Sequence, residues 1–539
     1  MSSLEIVSMD FKNDALNRIS QQEPYLNYPV IYLLNNDKEA YIGETIYFKK
    51  RMKAHLKNKA RKNLTQINLI QHERFNRSAT FHLETKLINY FLGDEKYLLQ
   101  NKSKTVSHVT HNYYEKSFYD EEVFQELWQQ LRQKKLVQHS LHAIENKDIF
   151  KLSPFKELSR EQLDLKEEVL EFCENHIQDE SSLLIIEGEA GVGKSVVLSS
   201  IFNTLQEYAL EEGALKKTTN YLVVNHEEML KTYKGIAKNV KHLKAKNIEK
   251  PTPLINRLQK NDERADIILV DEAHLLLTRK DTYNNFYGNN QLEELMKLAK
   301  IVIIVYDQNQ VLKLKSLWEA AKLENLKQTA KTCKVYPLTN QFRMQANDQI
   351  IKWIDAFKDK KLLPIPVDEK YEVACFDSLQ QLHQAIEEKN KDVGLSRVVA
   401  TFDFLHKKDN KTYYVTESKG DYQMPWNTTA SSTTWAERQE TIQEAGSIYT
   451  IQGFDLNYVG VVLGPSIQYD AVNDCLRIDT TKYKDTGAYA GTEGIENVEF
   501  AKERIILNSL NILMKRGVHG LYIYAYDEAL RERLKELKA

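Results

Sequence analysis

The chain has few cysteines, few prolines and almost no net charge, and each scarcity removes a class of protein. Its four cysteines, Cys173, Cys333, Cys375 and Cys475, are scattered over 539 residues without a Cys-x-x-Cys spacing. That pattern argues against a disulfide framework or a zinc site and fits a reducing compartment. With only 10 prolines and 19 glycines, the composition is neither fibrous nor disordered. A formal net charge of −2 means that any grip on nucleic acid must come from local basic patches, not from the field of the whole protein. Long hydrophobic runs are also missing: the longest, such as 301–306, have the length of a strand. Residues 1–13 carry Glu5 and Asp10 and lack the basic-then-apolar form of a signal peptide, so a cytoplasmic protein is expected. No internal repeat is visible.

What is present is nucleotide chemistry. Residues 184–195 read Leu-Ile-Ile-Glu-Gly-Glu-Ala-Gly-Val-Gly-Lys-Ser, an apolar strand running into Gly-x-x-x-x-Gly-Lys-Ser. Gly188, Gly191 and Gly193 let successive backbone N–H groups turn around phosphate oxygens, and Lys194 adds a point charge for the terminal phosphates. Ser195 is expected to ligate Mg²⁺. About eighty residues later the run 267–270 ends in Asp271-Glu272-Ala273-His274. Asp271 would hold the same ion, and Glu272 would take a proton from an attacking water. A triphosphate such as ATP is the implied ligand.

Apolar runs at 183–187, 221–224, 267–270 and 301–306 alternate with helical patterns, which predicts a parallel sheet covered on both faces. A second such unit is expected after residue 330, with strands near 335–338, 397–401, 458–463 and 521–524. The organisation expected is an α/β chain with a small domain at 1–105, a helical connector at 106–155, a first lobe at 156–328 and a second at 329–539. Within the lobes, Gln310 follows the strand 301–306 where an amide could sense the terminal phosphate. Arg343, in Gln341-Phe342-Arg343-Met344, and Arg516, in Met514-Lys515-Arg516-Gly517, are candidate arginine fingers.

This order of motifs resembles superfamily 1 helicases, and more closely the Schlafen-like DNA/RNA helicase group. The likeness runs over about 160–530. It includes Asn225-His226, Asp271-Glu272-Ala273-His274, Ser396-Arg397-Val398-Val399-Ala400, Met424-Pro425-Trp426-Asn427 and Thr450-Ile451-Gln452-Gly453. The resemblance implies two RecA-like parallel-sheet lobes that move nucleic acid by ATP-driven closure, with Gln162 as the adenine-reading glutamine.

The amino-terminal region carries a second signal. Tyr28-Pro29-Val30-Ile31-Tyr32, then Ala40-Tyr41-Ile42-Gly43, then a basic helical stretch with Arg51 and His55, resembles the GIY-YIG endonuclease domain over roughly 27–105, with Glu84 and Asn101 further along. Val30 stands where the first glycine of that motif is expected. The resemblance implies phosphodiester hydrolysis. Tyr32 would help activate water, Tyr41 would position it, Arg51 would stabilise the phosphate, Glu84 would hold one Mg²⁺ or Mn²⁺, and His55 would move a proton or touch phosphate. Between Lys49 and Lys62 stand eight Lys or Arg and no acid, which suits a nucleic-acid backbone.

The reading is therefore an ATP-dependent helicase or translocase fused to a metal-dependent endonuclease, with DNA or RNA as partner and, by analogy, a place in antiviral defence or nucleic-acid processing. Self-association or defence-system partner proteins are compatible with it. The alternative is a nucleotide-gated nucleic-acid clamp with a non-cutting amino-terminal adaptor, and a small-molecule kinase is a third reading that the second-lobe motifs disfavour.

Overall fold

The computed structural model describes residues 4–12, 27–102, 112–188, 193–307, 310–316, 320–338, 344–407, 409, 411–428, 434–451, 454–492 and 495–538. Internal contacts divide it into two compact units. One runs up to Glu174 and adds Ser195–Thr218 and Thr232–Ile248; the other holds Asn175–Lys194, Thr219–Lys231 and the chain from Glu249 onward.

In the first unit, strands β1 (Glu5–Asp10), β2 (Val30–Asn35), β3 (Glu39–Thr45), β4 (Gln66–Gln71) and β5 (Leu98–Leu99) form one sheet in the order β1-β4-β2-β3-β5. The first four pair antiparallel, and β5 joins β3 in parallel. Strand β2, Val-Ile-Tyr-Leu-Leu-Asn, is buried along its whole length, as a β-branched and aromatic run in a central strand should be. Asn36 closes the β2–β3 hairpin by accepting from the backbone N–H of Lys38 and Glu39 at 2.7 and 2.6 Å. Helix α1 (Phe48–Lys57) follows β3, and helix α2 (Arg77–Asp94) follows β4, capped by the Asn76 side-chain oxygen, which accepts from the N–H of Ala79 at 2.9 Å. Val30, Tyr32 and Leu34 share a core with Phe48 and Met52 of α1. Val30 is thus a core residue paired with Thr45, and its side chain costs the strand nothing.

The connector contains helix α3 (Phe124–Gln133), which buries Phe124, Leu127, Trp128 and Leu131. The buried Asp94 carboxylate at the end of α2 accepts from the backbone N–H of Gln138 and His139, at 2.9 and 2.7 Å, and so anchors the segment after α3. Helix α4 (Arg160–His176) follows.

Two parallel sheets follow. The first uses β6 (Ser182–Gly188), β7 (Asn220–Val224), β8 (Ile248–Glu249), β9 (Ala265–Asp271), β10 (Ala299–Tyr306) and β11 (Thr332–Leu338), in the order β11-β6-β10-β9-β7-β8. Its central strands are almost wholly apolar and buried on both faces; Leu183, Ile185, Ile268, Val270, Val302 and Ile304 lie in one core cluster. The run near 335–338, expected to open the second sheet, instead lies parallel to β6 at the edge of the first, with Val335 opposite Ile185. The helix Ala320–Thr329 before it supplies the crossover that a parallel pairing requires.

The second sheet uses β12 (Glu372–Cys375), β13 (Arg397–Ala400), β16 (Ala445–Gly446), β17 (Leu456–Leu463) and β20 (Gly517–Ala525), all parallel, in the order β12-β20-β17-β13-β16. Hairpins β14 (Tyr414–Thr416) with β15 (Gln423–Pro425), and β18 (Ile467–Asp470) with β19 (Cys475–Ile478), are antiparallel additions. The architecture is mixed α/β with two parallel sheets. Among the described residues, no helix is long and apolar enough to cross a membrane.

Gly43 sits directly opposite Tyr32, and a Cβ built there falls 2.2 Å from the tyrosine oxygen. Gly43→Ala should therefore destabilise the first unit by about 1–3 kcal/mol, as overpacking does, seen as a lowered calorimetric transition.

Candidate functional site

The phosphate loop connects the carboxyl end of β6 to helix α5 (Lys194–Tyr208). Gly193 has φ 75°, a left-handed conformation that favours glycine. Gly191 lies outside the described residues. The Lys194 side chain is only 6% exposed; its ammonium donates to the Gly188 carbonyl and lies 3.5 Å from the Asp307 carboxylate. Asp307 follows β10 and is braced by Gln310, whose side-chain amide donates to it at 2.7 Å. The expected phosphate sensor is thus tied to the phosphate-loop lysine through an aspartate that motif reading passed over. Its position at the carboxyl end of the strand beside β6 was the available signal.

Asp271, the last residue of β9, is fully buried and accepts from the N–H of Glu272 at 3.0 Å. Glu272 adopts φ 54°, a left-handed conformation uncommon outside glycine and a local strain of about 1–3 kcal/mol. Its carboxylate lies 2.7 Å from Nε2 of the buried His274. Burial pushes the Glu272 carboxyl up, but His274, then Lys194 and Arg516, outweigh it and hold the group below the usual carboxylate range. Arg516 is buried and donates to the Phe454 carbonyl at 3.1 Å. These groups bring β9, the phosphate loop and the segment before β20 within electrostatic reach of one another.

His226, just after β7, lies within electrostatic reach of Glu272 and Arg516. Burial holds its pKa at about 4, so the neutral ring accepts from Met229 N–H at 3.4 Å and donates through Nε2 to the Tyr449 carbonyl at 3.1 Å. Glu228 accepts from the Trp435 N–H at 2.9 Å. These two bonds join the segment after β7 to the part of the chain that carries the second sheet. Trp426 is core, edge-on to Phe402 and Phe404 at 5.4 and 6.0 Å, and Asn225 donates to the Leu275 carbonyl at 2.7 Å.

Other expected residues lie apart from this cluster or outside the description. Arg343 falls among the undescribed residues, as do Gln341 and Gln452. The side-chain carbonyl of Gln162 accepts from Ser159 N–H at 3.0 Å while Ser159 Oγ accepts from Gln162 N–H at 3.2 Å, the reciprocal box that starts α4. Ser195, beside Lys194, accepts from the Tyr233 hydroxyl through its carbonyl at 3.1 Å.

A second cluster forms in the first unit. Arg51 of α1 donates through Nε to the Tyr32 hydroxyl oxygen at 3.2 Å, and that oxygen lies 2.9 Å from Nε2 of His55, one helical turn on. Burial, then Arg51 and Arg61, hold the His55 pKa at about 4, so the ring is neutral at pH 7 and takes the tyrosine's hydrogen bond. Burial, then Tyr41 and, more weakly, Glu84, push Tyr32 well above its ordinary value, against Arg51. Tyr41 lies 6.3 Å from Tyr32 between ring centres, and Arg61, which motif reading missed, stacks 3.8 Å above the Tyr41 ring. Glu84 on α2 is 1% exposed. Asn101 has a positioning role: its amide accepts from the N–H of Ile42 at 3.0 Å and donates to the Ile42 carbonyl at 2.8 Å, holding β3 between Tyr41 and Gly43.

Among the described residues, no three His, Cys, Asp or Glu side chains gather as a metal cage. Single carboxylates such as Asp271 and Glu84 suit Mg²⁺, which takes one or two carboxylates and fills its remaining positions with water and phosphate oxygens.

Residues 181–527, more than half of the chain, match the Schlafen group 3 DNA/RNA helicase domain. The chain belongs to that family. The match spans the phosphate loop, the Asp271–Glu272 strand end and Arg516, so the cluster around Lys194 lies within the helicase-like domain. An uncharacterized protein of Saccharomyces cerevisiae is 42% identical over 410 residues, 70% of this chain and 90% of its own length. Among solved structures, the ORC2 protein of Aeropyrum pernix, in ADPNP and ADP complexes, aligns at 12% identity over 43% of this chain, with a TM-score of 0.20. The chain spans about half (52%) of the length of that structure, and so slight a likeness carries no argument.

The two histidines set a pH dependence. Both fold with pKa about 4 against an ordinary 6.5, so between those values the unfolded chain binds more protons and stability rises with pH, then levels off above about 6.5. His226→Gln should flatten that slope by up to about 1.4 kcal/mol per pH unit, read from urea unfolding across the window.

Proposed function

We propose that this helicase-family chain hydrolyses ATP to move along nucleic acid and that its amino-terminal unit is a GIY-YIG-type endonuclease. The observation that carries the motor reading is the convergence on one buried cluster of Lys194, Asp307, Asp271, Glu272 and Arg516, within the family-matched region. In this reading Gly188, Gly191, Gly193 and Lys194 cradle the phosphates, and a triphosphate oxygen takes the place of Asp307 on the ammonium. Ser195 and Asp271 would hold Mg²⁺, which when bound screens the phosphate charge. Glu272 orients the attacking water and receives its proton, Gln310 reports the terminal phosphate to Asp307, and Arg516 with Arg343 stabilises charge on the transferring group. Gln162, whose amide oxygen caps the start of α4, is by the same resemblance the adenine-reading residue.

For the nuclease, Tyr32 passes its proton toward His55 as it activates water, Tyr41 positions the nucleophile and Arg51 stabilises the phosphate. Glu84 would hold a divalent ion, which supplies Lewis-acid stabilisation of the leaving oxygen. Restriction or processing of foreign nucleic acid is a cellular role suggested by the fusion alone.

ATP turnover measured with and without single-stranded DNA or RNA tests the motor. Nucleic acid should stimulate the wild type, while Lys194→Ala and Arg516→Ala each lose on the order of 100-fold or more. Normal turnover by Lys194→Ala would remove the site assignment. With labelled strands and Mg²⁺ or Mn²⁺, Glu84→Gln and Tyr32→Phe should each lower cleavage on the order of 100-fold, the span of a lost acid–base or charge-stabilising group. Intact strands with the wild type would leave the amino-terminal unit as a binding module.

A further inference from the structure

Helix α1 starts in an unusual way. Its N-cap, a position that favours Ser, Thr, Asp or Asn, is Tyr47, which makes no side-chain capping hydrogen bond. The residue is 56% exposed, although tyrosine ordinarily buries much of its apolar surface. Its backbone is held: the Tyr47 N–H donates to Thr45 Oγ1 at 3.0 Å, and the Tyr47 carbonyl accepts from Arg51 N–H at 3.0 Å. The aromatic therefore stands one helical turn before Arg51, on the order of 6 Å away along the helix surface. Along α1 and the segment after it, Lys49, Lys50, Lys53, Lys57, Lys59 and Lys62 make no ion pair with any described residue. Unpaired cations along a helix attract a phosphate backbone, but cations alone do not discriminate a single strand from a duplex. An exposed ring does, because only an unpaired base offers its face for stacking.

We propose that Tyr47 is a base-stacking platform that selects single-stranded nucleic acid for the Tyr32–Arg51 centre. The lysines of α1 and the segment after it track the backbone, and the base next to the scissile phosphate lies on the Tyr47 ring while Arg51 takes the phosphate. The proposal rests on the nuclease reading for its purpose, but its geometry can be read without any cutting.

The test uses the full-length chain and single-stranded oligonucleotides carrying 5-iodouracil at successive positions, with photo-cross-links mapped by mass spectrometry. Cleavage kinetics of Tyr47→Ala and Tyr47→Phe accompany it. The expected result is a cross-link to Tyr47 and, for Tyr47→Ala, a kcat/KM on single strands lowered about 5- to 150-fold, mostly through KM, with Tyr47→Phe close to wild type. Absence of a Tyr47 cross-link overturns the proposal. So does an alanine variant indistinguishable from the phenylalanine one, or an equal loss on fully duplex substrate. A wild type that cross-links at Tyr47 yet cuts nothing supports the platform and removes the nuclease reading by itself.

Discussion

An ammonium buried almost completely at the head of a helix cannot stand without a partner, and the arrangement of the first sheet follows from that constraint on Lys194. Removing such a charge from water costs several kcal/mol unless opposite charge and oriented dipoles replace the solvent. The structure supplies them from two neighbouring strands: the Gly188 carbonyl at the end of β6 and the Asp307 carboxylate after β10. Gln310 holds Asp307 in turn. Only parallel strands in register bring both ends to one place, so the pairing of β6 with β10 is as much part of the site as the glycine loop. In the proposed motor, a phosphate oxygen would compete with Asp307 for this one cation.

The second unit carries a related economy. Glu272 stands in a strained backbone conformation beside a buried histidine, and its ionisation is maintained by Lys194 and Arg516 as well as by His274. Strain and buried charge at one residue mark a position shaped for something other than stability. In the first unit the corresponding device is steric: Gly43 lets the Tyr32 ring cross the neighbouring strand, and Asn101 fastens that strand with a side chain acting in place of a backbone partner.

Much of this was legible in the residues. The strands 267–270 and 301–306 are continuous apolar runs because both their faces are covered, and the cluster of Tyr32, Arg51 and His55 follows from strand alternation and helix periodicity. What escaped depended on distant partners. Strand β11 reads equally well in either sheet, since Val335 is 41% exposed at an edge and nothing local records the pairing with β6. The Ser-x-x-Gln spacing of Ser159 and Gln162, by contrast, is a local capping signature written in the sequence. Asp307 and Arg61 belong to no motif; only the fold sets one against Lys194 and the other over Tyr41.

The bond from His226 to the Tyr449 carbonyl is made by an uncharged ring, with burial keeping it so at neutral pH. Ions in solution screen charged contacts at the surface and leave a buried neutral hydrogen bond nearly untouched. The His226 bond is therefore insulated from ionic strength, whereas the lysines of α1 face it directly. Salt therefore acts on those exposed lysines and leaves this buried bond nearly unchanged.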